Sequence, residues 1–137
     1  MKINFYSIGY YKFTILTLVL IIFLSLSGGE NINKPWYLNF EGSDKVIHFL
    51  MYGFLTLVYL SERTFIFRMK KKTKPAKWYF VLWIIFIGAA IEIFQPLLAD
   101  RTKDIWDFTA NTGGVIIAYL TFFMIMKFYN FNKISSS

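Results

Sequence analysis

The amino-acid sequence predicts an all-α membrane protein, a bundle of about four transmembrane helices with both termini in the cytoplasm. Two observations support this class. The 137 residues are 56% hydrophobic and 21% aromatic, which is too apolar and too aromatic for a soluble domain of this size. Several apolar runs also approach the roughly 20 residues that a helix needs to cross a bilayer. Helices are the expected spanning elements because lipid offers no partner for backbone polar groups.

The first apolar segment runs from Phe13 to Leu24. Lys2 and Lys12 precede it and the Gly28-Gly29 pair follows it, a pattern that also describes a cleavable signal peptide. Aromatic residues upstream would extend the segment to a full span, which favours a helix that is retained. Both alternatives place Gly28 outside the cytoplasm.

The second apolar segment runs from Val46 to Leu60. As a helix of 15 residues it would span only about 22 Å. We therefore expect it to continue toward Phe67, with Glu62 and Arg63 reaching into the membrane interface by snorkelling.

Two longer apolar segments follow, at residues 78–98 and at residues 107–128. Pro96 lies near the end of the third segment, where it can end a helix. No internal repeat and no change of composition divides the chain, so residues 1–137 are predicted to form one domain.

The distribution of Lys and Arg predicts the orientation. Eleven basic residues lie at the two termini and in the second connection, against four in the first and third connections. Because cytoplasmic loops carry the excess of Lys and Arg, the termini and the second connection are expected inside and the other connections outside. The net charge of +7 is explained in the same way, and no motif supports a nucleic-acid partner.

The polar residues of the apolar segments lie at the outer ends of segments two, three and four. Their spacing of three or four places those of each segment on one helix face. Glu92 lies about 9 Å below the outer end of its segment, where a carboxylate needs a partner or a water-filled cavity. The sequence therefore predicts one shared polar pocket, formed by Asp44, His48, Tyr52, Glu92, Gln95, Arg101, Asp104, Asp107 and Asn111.

Each of these residues also has a purely structural explanation. Asp104 and Asp107 could complement the dipole at a helix start, and Gln95 could tie helices together. Glu92 is the hardest to explain in that way, and Arg101 is predicted to be its cation. On segment four, Gly113 and Gly114 are predicted to let a neighbouring helix approach closely.

The polar motifs resemble those of a known family. Residues Asp44–Tyr52 read DKVIHFLMY and resemble the first motif of the VanZ-like membrane proteins. Glu92–Gln95 and Arg101–Gly113 resemble the second, with Phe108 where an aliphatic residue is commoner. The resemblance covers residues 44–118 and implies a protein of the bacterial cytoplasmic (inner) membrane. The founding member is associated with low-level resistance to the glycopeptide teicoplanin, and the biochemical activity of the family is not settled.

Three functions are compatible with such a pocket. It could bind or modulate an envelope lipid, a wall precursor or a lipophilic glycopeptide, with membrane lipids as partners. It could instead belong to an intramembrane hydrolase, in which His48, Glu92, Asp104 and Asp107 supply acids, bases or metal ligands. A transporter would require an oligomer, since four helices without an inverted repeat do not make a carrier. No cofactor or metal is assigned, because one His among oxygen donors does not form a zinc motif.

Overall fold

The structure is a computed structural model that describes residues 11–26, 40–69, 78–98 and 104–135 of the 137-residue chain. Four helices account for these ranges: α1 (Lys12–Leu26), α2 (Ser43–Met69), α3 (Tyr79–Leu98) and α4 (Ile105–Ser135). The prediction of an all-helical chain with four helices is confirmed for these residues, among which there is no strand.

Two helix starts are built by local backbone chemistry. Before α2, Gly42 has a φ of 82°, and its carbonyl accepts the Val46 N–H at 3.2 Å. Before α4, the Asp104 carboxylate accepts the Trp106 N–H at 2.8 Å, which satisfies one of the free donors of the first turn. Both helices therefore begin a few residues earlier than the apolar segments that predicted them.

Contacts between helix ends show that the four helices alternate in direction. The Glu62 carboxylate, on the last part of α2, accepts the N–H groups of Phe13 and Thr14 at 3.0 and 2.9 Å. The Thr14 hydroxyl donates to the same carboxylate at 2.6 Å. At the other end of the bundle, Gln95 Nε2 of α3 donates to the Ser25 carbonyl of α1 at 3.1 Å. α1 is thus held at its start by α2 and at its end by α3.

The Glu62 contact was not foreseen from the sequence, which placed this residue at the membrane interface without a partner. In the structure Glu62 satisfies N–H groups at the start of α1, where the helix dipole also favours a negative charge. The contact joins residues 48 and 49 positions apart in the chain, so no local pattern indicates it.

The apolar core is small compared with the apolar surface. Its buried side chains come from all four helices: Ile21, Tyr52, Leu55, Leu60, Val81, Ile84 and Val115. Large apolar side chains are exposed on every helix, including Leu16, Phe23, Leu50, Phe86, Leu97 and Phe128. A monomeric soluble protein rarely exposes so much contiguous apolar surface, whereas lipid-facing helices do.

By length and composition, one helix of the described ranges is suited to cross a membrane, over Ile105–Tyr129 of α4. Lys12–Leu26 and Val81–Leu97 are apolar but shorter than that criterion requires. The structure therefore indicates a membrane protein through one candidate span.

The close contact between α2 and α4 is made by glycine. A Cβ atom added at Gly114 would overlap the Phe49 carbonyl of α2 and would lie 3.1 Å from the Gly53 nitrogen. A Cβ added at Gly113 would meet only the Phe49 ring, at an ordinary contact distance of 3.6 Å. The two neighbouring glycines therefore differ, because Gly114 alone allows the two backbones to approach.

This difference predicts opposite effects of one substitution at neighbouring positions. Gly114→Ala should lower the stability of the detergent-solubilised protein by about 1–3 kcal/mol, the usual cost of overpacking. Gly113→Ala should be neutral or stabilising by up to about 1 kcal/mol, because Ala favours a helix. Thermal unfolding followed by Trp fluorescence measures both variants, and equal shifts would contradict the backbone contact.

Candidate functional site

Four polar side chains from three helices are buried together at one end of the bundle. They are His48 of α2, Glu92 of α3, and Asp107 and Asn111 of α4, with exposed fractions of 4%, 8%, 4% and 1%. We call this set the polar cluster. The alternating helix directions bring it together, since α2 and α4 start at the end of the bundle where α3 finishes.

Asn111 connects the three helices by hydrogen bonds. Its Nδ2 donates to Glu92 Oε1 at 2.8 Å, and its Oδ1 lies 3.0 Å from His48 Nδ1. Because a carboxylate only accepts, the amide nitrogen must face Glu92 and the amide oxygen must face His48. The proton of the second bond therefore lies on Nδ1 of His48, which donates to Asn111.

Asp107 faces the opposite nitrogen of the same imidazole. Its Oδ2 lies 3.9 Å from His48 Nε2, and its Oδ1 lies 3.7 Å from Lys45 Nζ. Neither distance is a hydrogen bond. The Oδ1 atom is buried and accepts no hydrogen bond from the described residues. Asp107 is thus the member of the polar cluster whose carboxylate is held by charge alone.

Lys45 links the polar cluster to two carboxylates nearer the surface. Its ammonium lies 2.9 Å from Asp104 Oδ2 and 3.1 Å from Asp44 Oδ2. The hydrogen bond to Asp104, followed by that to Asp44, raises the pKa of Lys45 above its ordinary value. The bonds from Lys45 and from the Trp106 N–H lower the pKa of Asp104. Lys45, Asp44 and Asp104 form a partly exposed ionic network, which we call the outer ion group.

Lys45 was missed as a site residue from the sequence. In the sequence, Lys45 contributes to the predicted orientation and to the motif at Asp44–Tyr52, whereas Arg101 is the predicted cation of the pocket. A signal was present, because Lys45 lies three positions before His48 and therefore on the same helix face.

A cavity of about 530 Å³ lies beside the polar cluster, between the end of α3 and the start of α4. Five of its lining residues are apolar and two are carboxylates; they are Ala89, Ile93, Ile105, Trp106 and Phe108, with Glu92 and Asp104. Glu92 therefore belongs to both the polar cluster and the cavity wall. An amphipathic molecule could place an apolar chain on the walls and a hydrogen-bond donor on the carboxylates.

Two further predicted pocket residues, Gln95 and Tyr52, make no hydrogen bond to the polar cluster within the described part of the chain. Gln95 is 2% exposed and points to α1, where it donates to Ser25. The Tyr52 ring packs beside Gly88 of α3, and its buried hydroxyl makes no hydrogen bond with the described residues. Arg101 lies outside the described residues, so its pairing with Glu92 stays a prediction. Glu92 accepts a hydrogen bond from Asn111 and lies 3.4 Å from His48 Nδ1.

Two groups of donor atoms in the described part of the chain are close enough to hold a metal ion. The first is His48, Glu92 and Asp107, all buried, and the second is Asp44, Asp104 and Asp107. In each group one ligand atom per residue lies within 4.8 Å of the others. The Lys45 ammonium already lies among the three carboxylates of the second group.

The hydrogen bonds of Asn111 predict a large effect for its removal. Asn111→Leu leaves buried polar atoms of His48 and Glu92 without a partner, and should lower the free energy of unfolding by about 1–3 kcal/mol. Glu92→Gln should lower it less, because the Gln oxygen still accepts from Asn111. Thr109→Val, on the exposed side of α4, is the control. Thermal unfolding in one detergent compares the three, and an unchanged Asn111→Leu would contradict the network.

The chain matches one known protein family. The family model described as VanZ/LLP1 matches residues 5–127, which include all of the polar cluster and the outer ion group. The searches of curated proteins and of solved structures gave no significant match. Because the family model covers most of the 137 residues, the resemblance to the VanZ-like family is confirmed. The chain belongs to the VanZ/LLP1 family.

Proposed function

We propose that the protein is a multi-pass protein of the bacterial cytoplasmic membrane that binds an amphipathic molecule of the cell envelope. The molecule is a lipid or a lipid-linked wall precursor, and its polar end lies against Glu92 and Asp104. The observation that carries this proposal is the cavity of about 530 Å³, with five apolar lining residues and two carboxylates. Its size lies within the range of small-molecule pockets, about 300–1,000 Å³.

The chemistry of the lining favours a headgroup that donates hydrogen bonds. Glu92 and Asp104 offer acceptor atoms, so hydroxyl or ammonium groups are the expected partners. Trp106 and Ile105, which are 65% and 70% exposed, offer apolar surface for a chain. A phosphate would need a cation, and Arg101 in the connection between α3 and α4 is our proposal for that role.

The proposed topology has four spans, with both termini in the cytoplasm and the cavity on the outer side. It is supported by the asymmetry of eleven basic residues against four and by the alternating directions of the helices. α1 has 15 residues, so this topology needs a locally thin bilayer around α1.

Single-cysteine variants test this topology, because the chain has no natural cysteine. Asn33→Cys should react with a membrane-impermeant maleimide applied to intact spheroplasts. Lys71→Cys should react only after the membrane is opened. Reaction of both positions from outside would contradict the proposed topology.

The binding proposal predicts a loss of bound lipid when the cavity wall is shortened. Trp106→Ala should reduce the envelope lipid that co-purifies in mild detergent by about tenfold, which corresponds to about 1.4 kcal/mol. Trp83→Ala is a matched control, since Trp83 is 64% exposed and is not among the cavity residues. Mass spectrometry of extracted lipid gives the amounts.

The same experiment identifies the ligand class. A lipid-linked wall precursor and a lipophilic glycopeptide are added separately to delipidated protein, and binding of each is compared between the two Trp variants. Equal amounts of bound lipid and equal binding of both compounds in Trp106→Ala and Trp83→Ala would contradict a binding role of the cavity.

A hydrolase acting on an envelope lipid is the second proposal. It is supported by the position of Glu92, which lies in the cavity wall and within 3.4 Å of His48. An imidazole between two carboxylates is a common arrangement for moving a proton during hydrolysis. Release of a cleaved product from the co-purified lipid, lost in His48→Gln, would favour this activity over binding alone.

A further inference from the structure

We propose that His48, Asp107 and Glu92 form the binding site of one divalent transition-metal ion, for which Zn²⁺ is the first candidate. His48 would bind through Nε2 and the two acids through carboxylate oxygens. The proposal rests on the hydrogen bonds, distances and burial of the polar cluster, and it does not require that the cavity binds a lipid.

The ring proton of neutral His48 lies on Nδ1, away from Asp107. Asn111 donates to Glu92 and therefore presents its oxygen to His48 Nδ1, which must carry a proton. In the neutral imidazole the free electron pair then lies on Nε2. A metal-binding His is usually arranged in this way, since a hydrogen bond from its other nitrogen fixes the tautomer and the ring orientation.

Nε2 of His48 faces the carboxylate of Asp107. Asp107 Oδ2 lies 3.9 Å away, so an electron pair of a neutral imidazole would face a carboxylate with no proton between them. The Asp107 side chain is 5% exposed, and its Oδ1 accepts no hydrogen bond from the described residues. A buried carboxylate oxygen without a donor is costly, whereas a cation between Asp107 and Nε2 would be attracted by both groups.

Negative charge outweighs positive charge among the described residues around Lys45. Among the described residues, Lys45 is the only cation that pairs with Asp44 and Asp104, and it also lies near Asp107. Within the described part of the chain, three carboxylates thus share one ammonium beside His48. The Lys45 ammonium is 3.7 Å from Oδ1 of Asp107, so it leaves the Oδ2 side free to face His48.

Distances and donor types select the class of ion. Two atoms bound at about 2.1 Å to one ion lie at most about 4.2 Å apart, and the pair His48 Nε2 and Asp107 Oδ2 is inside that limit at 3.9 Å. One ligand atom each of His48, Glu92 and Asp107 lies within 4.8 Å of the other two. Glu92 Oε1 lies 3.4 Å from Nδ1, so the Glu92 side chain would have to turn toward Nε2 to join the ion. An imidazole with carboxylates suits Zn²⁺ or Mn²⁺, whereas Ca²⁺ and Mg²⁺ prefer oxygen donors alone.

The position of Glu92 would place the ion next to the cavity. Because Glu92 lies in the cavity wall, an ion on its carboxylate would lie beside the cavity. Three protein ligands leave at least one position open on Zn²⁺, which water or an oxygen atom of a bound molecule could fill.

The test uses the full-length protein purified in detergent, treated with chelator, and dialysed against metal-free buffer. Zn²⁺, Mn²⁺, Mg²⁺ and Ca²⁺ are added separately, unbound ion is removed, and metal per chain is measured by mass spectrometry. We expect about one Zn²⁺ or Mn²⁺ per chain and a melting temperature that rises with metal concentration, as binding to the folded state requires.

Two variants locate the ion and one controls for the outer ion group. Asp107→Asn keeps the shape of the side chain and should lower metal affinity at least about tenfold, within the range seen for lost metal contacts. His48→Gln should abolish stoichiometric binding. Asp104→Asn removes an acid of the outer ion group and should keep one bound ion. Circular dichroism without metal verifies that each variant is folded. If His48→Gln does not fold, the metal affinity of Asp107→Asn decides whether the ion binds at this site.

Each contrary outcome overturns the proposal. A folded wild-type chain that retains no Zn²⁺ or Mn²⁺ contradicts a site of this class, as does preferential binding of Ca²⁺ or Mg²⁺. Undiminished binding in Asp107→Asn excludes this carboxylate as a ligand. Loss of the ion in Asp104→Asn but not in Asp107→Asn places the ion in the outer ion group instead. Lipid binding measured in the same preparations is independent of these outcomes.

Discussion

The hydrogen bonds of Asn111 are the constraint on which the polar end of the bundle depends. One amide joins His48 of α2 to Glu92 of α3 from its own position on α4. Each of these side chains is at least nine-tenths buried, so water contributes little to their solvation. A buried polar group that loses its partner costs more than the bond itself contributes, and the three helices therefore have to meet at one depth and in one rotation.

Glycine packing makes that meeting possible. Gly114 lies three positions after Asn111, and the Phe49 carbonyl that it approaches belongs to the residue after His48. The closest contact of α2 with α4 is therefore within one helical turn of the bond between His48 and Asn111. A side chain at position 114 would separate the helices where the imidazole and the amide have to be 3.0 Å apart. The backbone contact at Gly114 and the hydrogen bond between His48 and Asn111 therefore lie on the same helical turn.

Much of this arrangement could be predicted from the sequence. Hydropathy gave four helices, and spacings of three and four placed His48, Glu92, Asp107 and Asn111 on faces that could meet. The partner of each residue could not be predicted in the same way. Gln95 shares a face with Glu92 by spacing but bonds to Ser25 of α1, 70 residues away. Which neighbour a polar side chain meets depends on helix rotation and depth, and periodicity within one helix does not contain that information.

The ionic contacts illustrate the same limit. Lys45 is one of fifteen basic residues and part of the motif at Asp44–Tyr52, and only the fold shows that its ammonium reaches Asp104. Glu62 of α2 is a second residue whose partner could not be predicted, because it caps the start of a different helix, α1. Charge counting predicts the side of the membrane, whereas pairing requires the fold.

The members of the site differ in how well folding alone explains them. Asp44 and Asp104 lie at helix starts, are partly exposed and pair with Lys45, so the helix dipole and the interface account for both. Asn111 and Glu92 hold the helices together. Asp107 also lies in the first turn of its helix, yet its side chain is buried. Among the described residues its Oδ1 has no hydrogen bond, and the ammonium of Lys45 is 3.7 Å away. An apolar residue of similar volume would pack there at no greater cost to folding. The metal site proposed above would give a buried carboxylate at this position a function, and the atom that Asp107 Oδ2 faces is Nε2 of His48.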